Sequence, residues 1–326
     1  MNRSKNLISY AYLLNRSYSS LKFVPKSQPL CKDDVHKLNE FIVKAKRLFV
    51  LSGAGVSTES GIPDYRSEGV GLYATSKNRP IQYSDFIKSD ELRFFKTNLL
   101  INMKVTISFL ISIRTRYWAR NYVGWPIFSS FQPNKAHFIL ADWDKKGKVI
   151  HHVTQNVDSL FSKAGCTRLS ELHGSAYRVK CLDCDFKISR HDMQNLIKDQ
   201  NRNWTAYSAQ IAPDSDVHLT PEQIKGFKLP ICPKCGNNKL KPDLVFFGDN
   251  VPRELVDHIN QQVSNSDSVF VIGTTIQTFS AYRIILKAKE LHKQIAILSI
   301  GQTRADDLAD IKISGKCSEA LSSIKL

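Results

Sequence analysis

Long apolar runs are missing from this chain of 326 residues. One charge-free stretch, Val105 to Ile113, falls far short of the roughly 20 residues that a bilayer-spanning helix needs, so no membrane association is expected. The N-terminus likewise lacks the uninterrupted apolar core of a secretory signal. Acidic residues are scarce: 30 Asp and Glu stand against 46 Lys and Arg, for a formal net charge of +16. The first 32 residues carry six of those bases and no acid. Basic blocks interleaved with aromatics, which a strand-binding groove requires, are also missing, so no nucleic-acid partner is expected and the charge reads as a basic leader plus a solvated face. A disulfide framework is absent too. The seven cysteines fall as two Cys-x-x-Cys pairs and three scattered residues, a pattern suited to a reducing compartment.

What is present begins with that leader. Residues 1–20 contain Arg and Ser, no acid, and Leu7, Ile8, Tyr10, Leu13 and Leu14 at near-helical spacing, the composition of a mitochondrial transit peptide. The step Arg16-Ser17-Tyr18-Ser19 resembles a matrix-processing site, so residues 1–32 are expected to be transit peptide and flexible leader of a mitochondrial matrix protein.

Four strand-like apolar runs recur at 48–51, 149–154, 268–272 and 295–300, each closing on a polar or glycine-rich turn, with helix-like stretches near 253–263 and 281–291. Strands alternating with helices predict an α/β fold, a doubly wound parallel Rossmann-like sheet whose ligand binds at the strand C-termini. Gly53, Gln155, Gly273 and Ser299 all stand at those ends and can share one crevice. The turn after the first run, Gly53-Ala54-Gly55-Val56-Ser57, lets backbone N–H groups approach a pyrophosphate, and a following helix N-terminus would add partial positive charge.

Cys181-Leu182-Asp183-Cys184 and Cys232-Pro233-Lys234-Cys235 offer four thiolates to one tetrahedral zinc ion. Four protein ligands leave no open position, so the metal is expected to be structural. Both pairs lie in a loop-rich stretch, 175–240, that reads as a small zinc-binding module inserted between two parts of the sheet domain, 33–174 and 241–326.

The glycine turn runs on into Thr58-Glu59-Ser60-Gly61-Ile62-Pro63-Asp64-Tyr65-Arg66-Ser67, and Gln155-Asn156-Val157-Asp158, His173-Gly174 and the two cysteine pairs follow in order. The set resembles the sirtuins, the NAD-dependent protein-lysine deacylases. Gly71-Leu72-Tyr73-Ala74, Arg116-Tyr117-Trp118-Ala119-Arg120-Asn121 and Lys241-Pro242-Asp243-Leu244-Val245-Phe246-Phe247-Gly248-Asp249 are similar to their mitochondrial class II branch, the sirtuin four type. The resemblance covers about residue 23 to the C-terminus.

The resemblance implies transfer of an acyl group from a lysine side chain to ADP-ribose with release of nicotinamide. His173 would be the general base, a role its near-neutral intrinsic pKa suits. Asn156 and Asp158 would serve the catalytic end, although Asp158 also reads as a structural cap. The cofactor-binding set would comprise Gly53, Ala54, Gly55, Ser57, Pro63, Asp64, Tyr65, Arg66, Tyr73, Gln155, Asn156, Val157, Asp158, Gly273, Thr274, Thr275, Ser299, Ile300, Gly301 and Cys317. Val245, Phe246, Phe247 and Gly248, together with 275–280, would border an acylated peptide bound as an extra strand. Tyr117 and Arg120, spaced i, i+3, would either read an acidic acyl group or simply pack and make a surface contact. His137, His151 and His152 are expected to be structural or surface residues. The implied cofactors are NAD and one structural zinc, the implied partners are acylated lysines of mitochondrial proteins, and the protein is expected to be a monomer. The alternatives are a protein mono-ADP-ribosyltransferase and a catalytically weak acyl-lysine or metabolic-enzyme binding module.

Residues 94–114 depart from this pattern. Of the twenty residues from Phe94 to Ile113, fifteen are Phe, Lys, Asn, Ile, Met or Leu and none is acidic. Translated AT-rich noncoding sequence has that composition, so a retained intron and a genuine insertion both stand as explanations.

Overall fold

The computed structural model describes residues 21–76, 80–88 and 112–326. Nearly all of the atypical segment, 94–111, lies outside the described residues, as do residues 1–20 of the leader. Six parallel strands form the main sheet: β1 (Leu48–Ser52), β2 (Val149–Thr154), β3 (Leu169–Glu171), β7 (Ser268–Ile272), β8 (Gln294–Leu298) and β9 (Ile311–Ile313), in the order β3-β2-β1-β7-β8-β9.

Period-2 alternation decides what each face carries. Leu48 and Val50 of β1, Phe270 and Ile272 of β7, and Ala296 and Leu298 of β8 point to one face. There they meet Leu38, Phe41 and Ile42 of helix α1 (Lys32–Lys44), and Leu140 and Trp143 of a helix at Lys135–Lys145. The intervening Phe49, Leu51, Val269, Val271, Ile295 and Ile297 point the other way. They pack on Ile259 and Val263 of Arg253–Asn265 and on Ile284 and Ile285 of Phe279–Glu290. Both faces are therefore covered, as the continuous apolar runs require.

The second lobe is a three-stranded antiparallel sheet, β5-β4-β6, made of β4 (Gly174–Cys181), β5 (Lys187–Ser189) and β6 (Leu240–Leu244). Against it pack α2 (Ile113–Ser130) and the helix Arg190–Gln200, through Trp118, Trp125, Val179, Met193, Ile197 and Leu240. Helix α2 contains Pro126, which has no N–H for the carbonyl of Tyr122. That carbonyl instead accepts a hydrogen bond from Gln194 Nε2 at 2.9 Å, so the helix break also ties the two helices together. The fully buried Arg190 guanidinium donates to Asn121 Oδ1 and lies over Trp125, 4.6 Å from its ring centre.

The start of α2 bears on the atypical segment. Ser112 is its N-cap, accepting from Thr115 N at 3.1 Å, and Arg114 is buried with a donated bond to Asn238 Oδ1. Residues 112–114 are thus built into the fold. So are Val24 and Pro25, sequence-assigned to the leader, which line the cavity described below.

Candidate active site

A cavity of about 620 Å³ opens where the C-terminal ends of β1, β2, β7 and β8 face the second lobe. The chain turns after β1 and β7 cross closely here. Gly55 N donates to Gly273 O at 2.8 Å, and a Cβ at Gly55 would stand 2.8 Å from that same oxygen. The glycines therefore serve a backbone-on-backbone contact as well as an open turn. The helix expected to follow is not there: Ala54–Val56 and Thr58–Ser60 are two short 3₁₀ turns, ended by Gly61 at φ 92°. Ser57, between them, is drawn inward, and its hydroxyl donates to Asp158.

Of the sequence-assigned residues, Ala54, Gly55, Ser57, Pro63, Asp64, Tyr65, Arg66, Gln155, Asn156, Val157, Asp158, His173, Gly273, Thr274, Thr275, Ser299, Ile300 and Cys317 line the cavity. Tyr117, Val245, Phe246, Phe247 and Gly248 line it too. Gly53, Tyr73, Gly301 and Arg120 do not. Gly53 sits behind the turn, where a Cβ would meet Thr274 Cβ at 2.6 Å, and Tyr73 packs at a tilt against Tyr65 with ring centres 5.6 Å apart.

The polar groups at the deep end are mutually bonded. Ser57 Oγ donates to Asp158 Oδ2 at 2.6 Å and accepts from Asn156 Nδ2 at 3.0 Å, while Leu160 N donates to Asp158 Oδ1 at 2.9 Å. Asp158 is thus both a turn cap and part of the cavity wall. Burial pushes its carboxyl pKa up, against those hydrogen bonds. Gln155 Nε2 donates to Thr274 Oγ1 at 3.0 Å and to Ser52 O at 3.2 Å, which fixes its side chain across the β1–β7 junction.

His173 follows β3 on the turn into β4. Its Nδ1 lies 3.0 Å from the carbonyl oxygen of Gln155 and its Nε2 2.8 Å from Ser280 Oγ. A carbonyl can only accept, so Nδ1 carries the proton and the neutral ring is left with Nε2 as its acceptor. Burial, assisted by the Arg66 charge, holds the imidazole pKa below its ordinary value. A neutral base with its accepting nitrogen at a cavity wall can take up a proton. The other histidines behave as the sequence suggested: His137, His151 and His152 are buried and kept neutral by burial, and Ser52 Oγ bonds His152 Nε2 at 2.8 Å.

At the second-lobe end the arrangement departs from one of the two readings left open for Arg120. Its Nε donates to Val217 O at 2.7 Å and lies 3.0 Å from Asp216 Oδ1, so the guanidinium is committed behind Asp216 and does not reach the cavity. Of the two readings of Arg120, this geometry supports the packing one, with the guanidinium held at Asp216. Tyr117 packs edge-on to Phe86, its ring centre 5.7 Å away. Asp214 and Asp216, which sequence reasoning missed, line this end of the cavity. Burial pushes Asp216 up to about 7 despite Arg120. The polar stretch around them gave no signal of where it would fold. Gly124 is what lets it approach α2, since a Cβ there would lie 2.1 Å from Ser215 O.

Outside the cavity, the four cysteine sulfurs lie within 4.8 Å of one another, with Cys181–Cys235 at 3.6 Å and Cys184–Cys232 at 3.7 Å. A tetrahedral zinc with Zn–S bonds of about 2.3 Å has edges of ~3.8 Å, so the donor set fits the metal in both chemistry and size.

A family model described as the Sir2 family matches residues 53–280. The chain is 49% identical over 299 residues to the human "NAD-dependent protein lipoamidase sirtuin-4, mitochondrial", covering 92% of this chain and 88% of that one. It is 45% identical over 308 residues to the Drosophila melanogaster "NAD-dependent protein deacylase Sirt4", covering 94% and 92%. A solved structure described as "Structural Basis for the Mechanism and Regulation of Sir2 Enzymes" matches with a TM-score of 0.63 at 26% identity, over 89% of this chain and 96% of that one.

Proposed function

The chain belongs to the Sir2 family, and from that premise we propose that it is an NAD-dependent protein-lysine deacylase of the lipoamidase and deacylase branch, working in the mitochondrial matrix. The observation that carries the reading is a neutral His173, Nε2 accepting, in one cavity with the bonded group Ser57, Asn156 and Asp158. NAD, when bound, supplies an electrophilic ribose carbon activated by departure of nicotinamide.

The residues of the chain do the rest. His173 Nε2 takes the proton of a ribose hydroxyl. Asn156, Ser57 and Asp158 hold one another at the deep end and present a fixed set of polar groups there. Tyr65 and Phe247, 6.4 Å apart and edge-on, stand over the cavity and exclude solvent. Gly55, Thr274 and Thr275 present the junction of β1 and β7 to the adenosine side, with Ser299, Ile300 and Cys317 beyond them.

The acylated peptide lies beside Val245–Gly248, with a target lysine from a mitochondrial protein reaching inward. Phe247 O already accepts from Tyr83 N at 2.9 Å, so this edge is anchored on one side. Cys181, Cys184, Cys232 and Cys235 would hold a structural zinc between the end of β4 and the loop that leads into β6. We assign 33–174 and 241–326 in the main to the sheet domain and 175–240 to the inserted module, with α2 and β6 completing the second lobe from either side, and monomeric action to the whole. Among the described residues no helix is long and apolar enough to cross a membrane.

The test is a panel of acyl-lysine peptides, lipoyl included, incubated with NAD. Nicotinamide and deacylated lysine released in equal amounts support the reading, and nicotinamide release without loss of the acyl group opposes it.

A further inference from the structure

Ser280 touches the nitrogen of His173 that the reaction uses. Since Nδ1 is spoken for by the Gln155 carbonyl, the lone pair of neutral Nε2 has one partner among the described residues, the Ser280 hydroxyl at 2.8 Å. Ser280 is in the first turn of the helix Phe279–Glu290, and that turn is fixed. Ala281 N and Tyr282 N both donate to Thr278 O, at 3.2 and 3.0 Å, and Ala281 is fully buried in the core. Thr278 Oγ1 in turn donates to Gln155 Oε1 at 3.3 Å. The contacts close a ring: the Gln155 backbone holds one side of the imidazole, Ser280 the other, and the Gln155 side chain is bonded to the start of the helix that carries Ser280.

We propose that Ser280 is the positioning residue of the general base, orienting the His173 ring, whose Nδ1–H tautomer the Gln155 carbonyl fixes, so that Nε2 is turned to the cavity wall at the start of the helix Phe279–Glu290. A hydroxyl suits this place because it can donate to the neutral ring, turn its hydrogen away to free the Nε2 lone pair for the incoming proton, and then accept from Nε2–H. Nε2 is therefore bonded before and after it takes a proton. Neither an alanine nor an amide offers both roles without rearrangement. The inference rests on the assignment of His173 as base, and sequence pattern alone could not supply it, because residues 173 and 280 meet only through the fold.

The first readout needs no cofactor. In ligand-free protein labelled with ¹⁵N-histidine, His173 should show the Nδ1–H tautomer with Nε2 shifted by an accepted hydrogen bond. Ser280→Ala should move the Nε2 resonance several ppm toward the unbonded value, and Ser280→Thr, which keeps the hydroxyl, should restore it. An Nε2 resonance unchanged in Ser280→Ala overturns the proposal. In turnover, Ser280→Ala should lower kcat about 5- to 10-fold, the rough worth of one neutral hydrogen bond, with KM for NAD within about 2-fold and recovery in Ser280→Thr. A kcat that stays level or rises would make Ser280 only an occupant to be displaced, and the proposal would fail. His173→Ala separates the two layers: if it retains normal turnover, the base assignment fails while the Ser280 contact seen by NMR stands.

Discussion

Tyr65 Oη donates to Asp214 Oδ2 at 3.1 Å, joining the turn after β1 to a loop of the second lobe 149 residues away. Both groups line the cavity, so one hydrogen bond ties the cofactor side of the cleft to the acyl side. Burial raises the pKa of each, and a protonated phenol facing a carboxylate is the arrangement that satisfies both. Asp214→Ala should therefore loosen the Tyr65 turn and raise KM for NAD about ten-fold or more, on the scale of about 1.5–3 kcal/mol for a hydrogen bond to a charged group. Asp214→Asn, which keeps an acceptor, should do less. Equal KM values in the two variants would deny the link.

The acid side of the pH profile follows from His173. Its pKa in the folded protein is held below the ordinary histidine value of 6.5, so the ring stays neutral through mildly acidic pH. In kcat/KM the acid limb should fall below pH 6.5. A limb above 7 would mean that the ring is stabilised as a cation, contrary to its buried setting.

Asp216 should make stability fall as pH rises. Its folded pKa, about 7, lies above the unfolded value of 3.8, so the folded state binds the extra proton between those values. The cost is absent below about 3.8, grows through the interval and is complete above about 7. Asp216→Asn should therefore gain stability over the parent at pH 8, on the order of 1 kcal/mol or more, and gain little at pH 4. Thermal melts at the two pH values decide it, and a larger gain at pH 4 would reverse the assignment.

Cys181→Ser or Cys235→Ser should abolish tight metal binding and melt the small sheet, because crowded thiolates without the ion repel. Metal analysis by mass spectrometry should find about one zinc per parent chain and much less in either variant.

The atypical segment can be dissected by where an excision ends. Removing 94–111 keeps the Ser112 cap and the buried Arg114, whereas removing 94–114 discards both. The longer excision should be the less stable by ~1 kcal/mol or more, the usual worth of an N-cap. Equal melting temperatures would mean that α2 finds another start.

Local rules made much of the fold legible. Both faces of β1, β7 and β8 are covered, so their apolar runs were continuous and easy to read. The zinc ligands were legible because thiolate spacing is set within each knuckle. Other features depend on contacts distant in sequence. Nothing near residue 213 says that Asp214 will meet Tyr65 or that Asp216 will take Arg120, and the i, i+3 spacing of Tyr117 and Arg120 could not reveal that partner. The helix expected after Gly55 failed for a local reason with a distant cause: Ser57 is pulled inward by Asp158, and Gly61 ends the turn.

The most direct measurement of the central claim is a mass-resolved product balance with purified protein, NAD and a lipoyl- or acyl-lysine peptide, comparing the parent chain with His173→Ala. The account expects free lysine peptide, nicotinamide and acyl-ADP-ribose in a 1:1:1 ratio from the parent, and product formation lower by roughly 10²–10⁴ in a variant that still folds and binds zinc. ADP-ribosylated protein with the acyl group still on the peptide, or undiminished deacylation by His173→Ala, would contradict it.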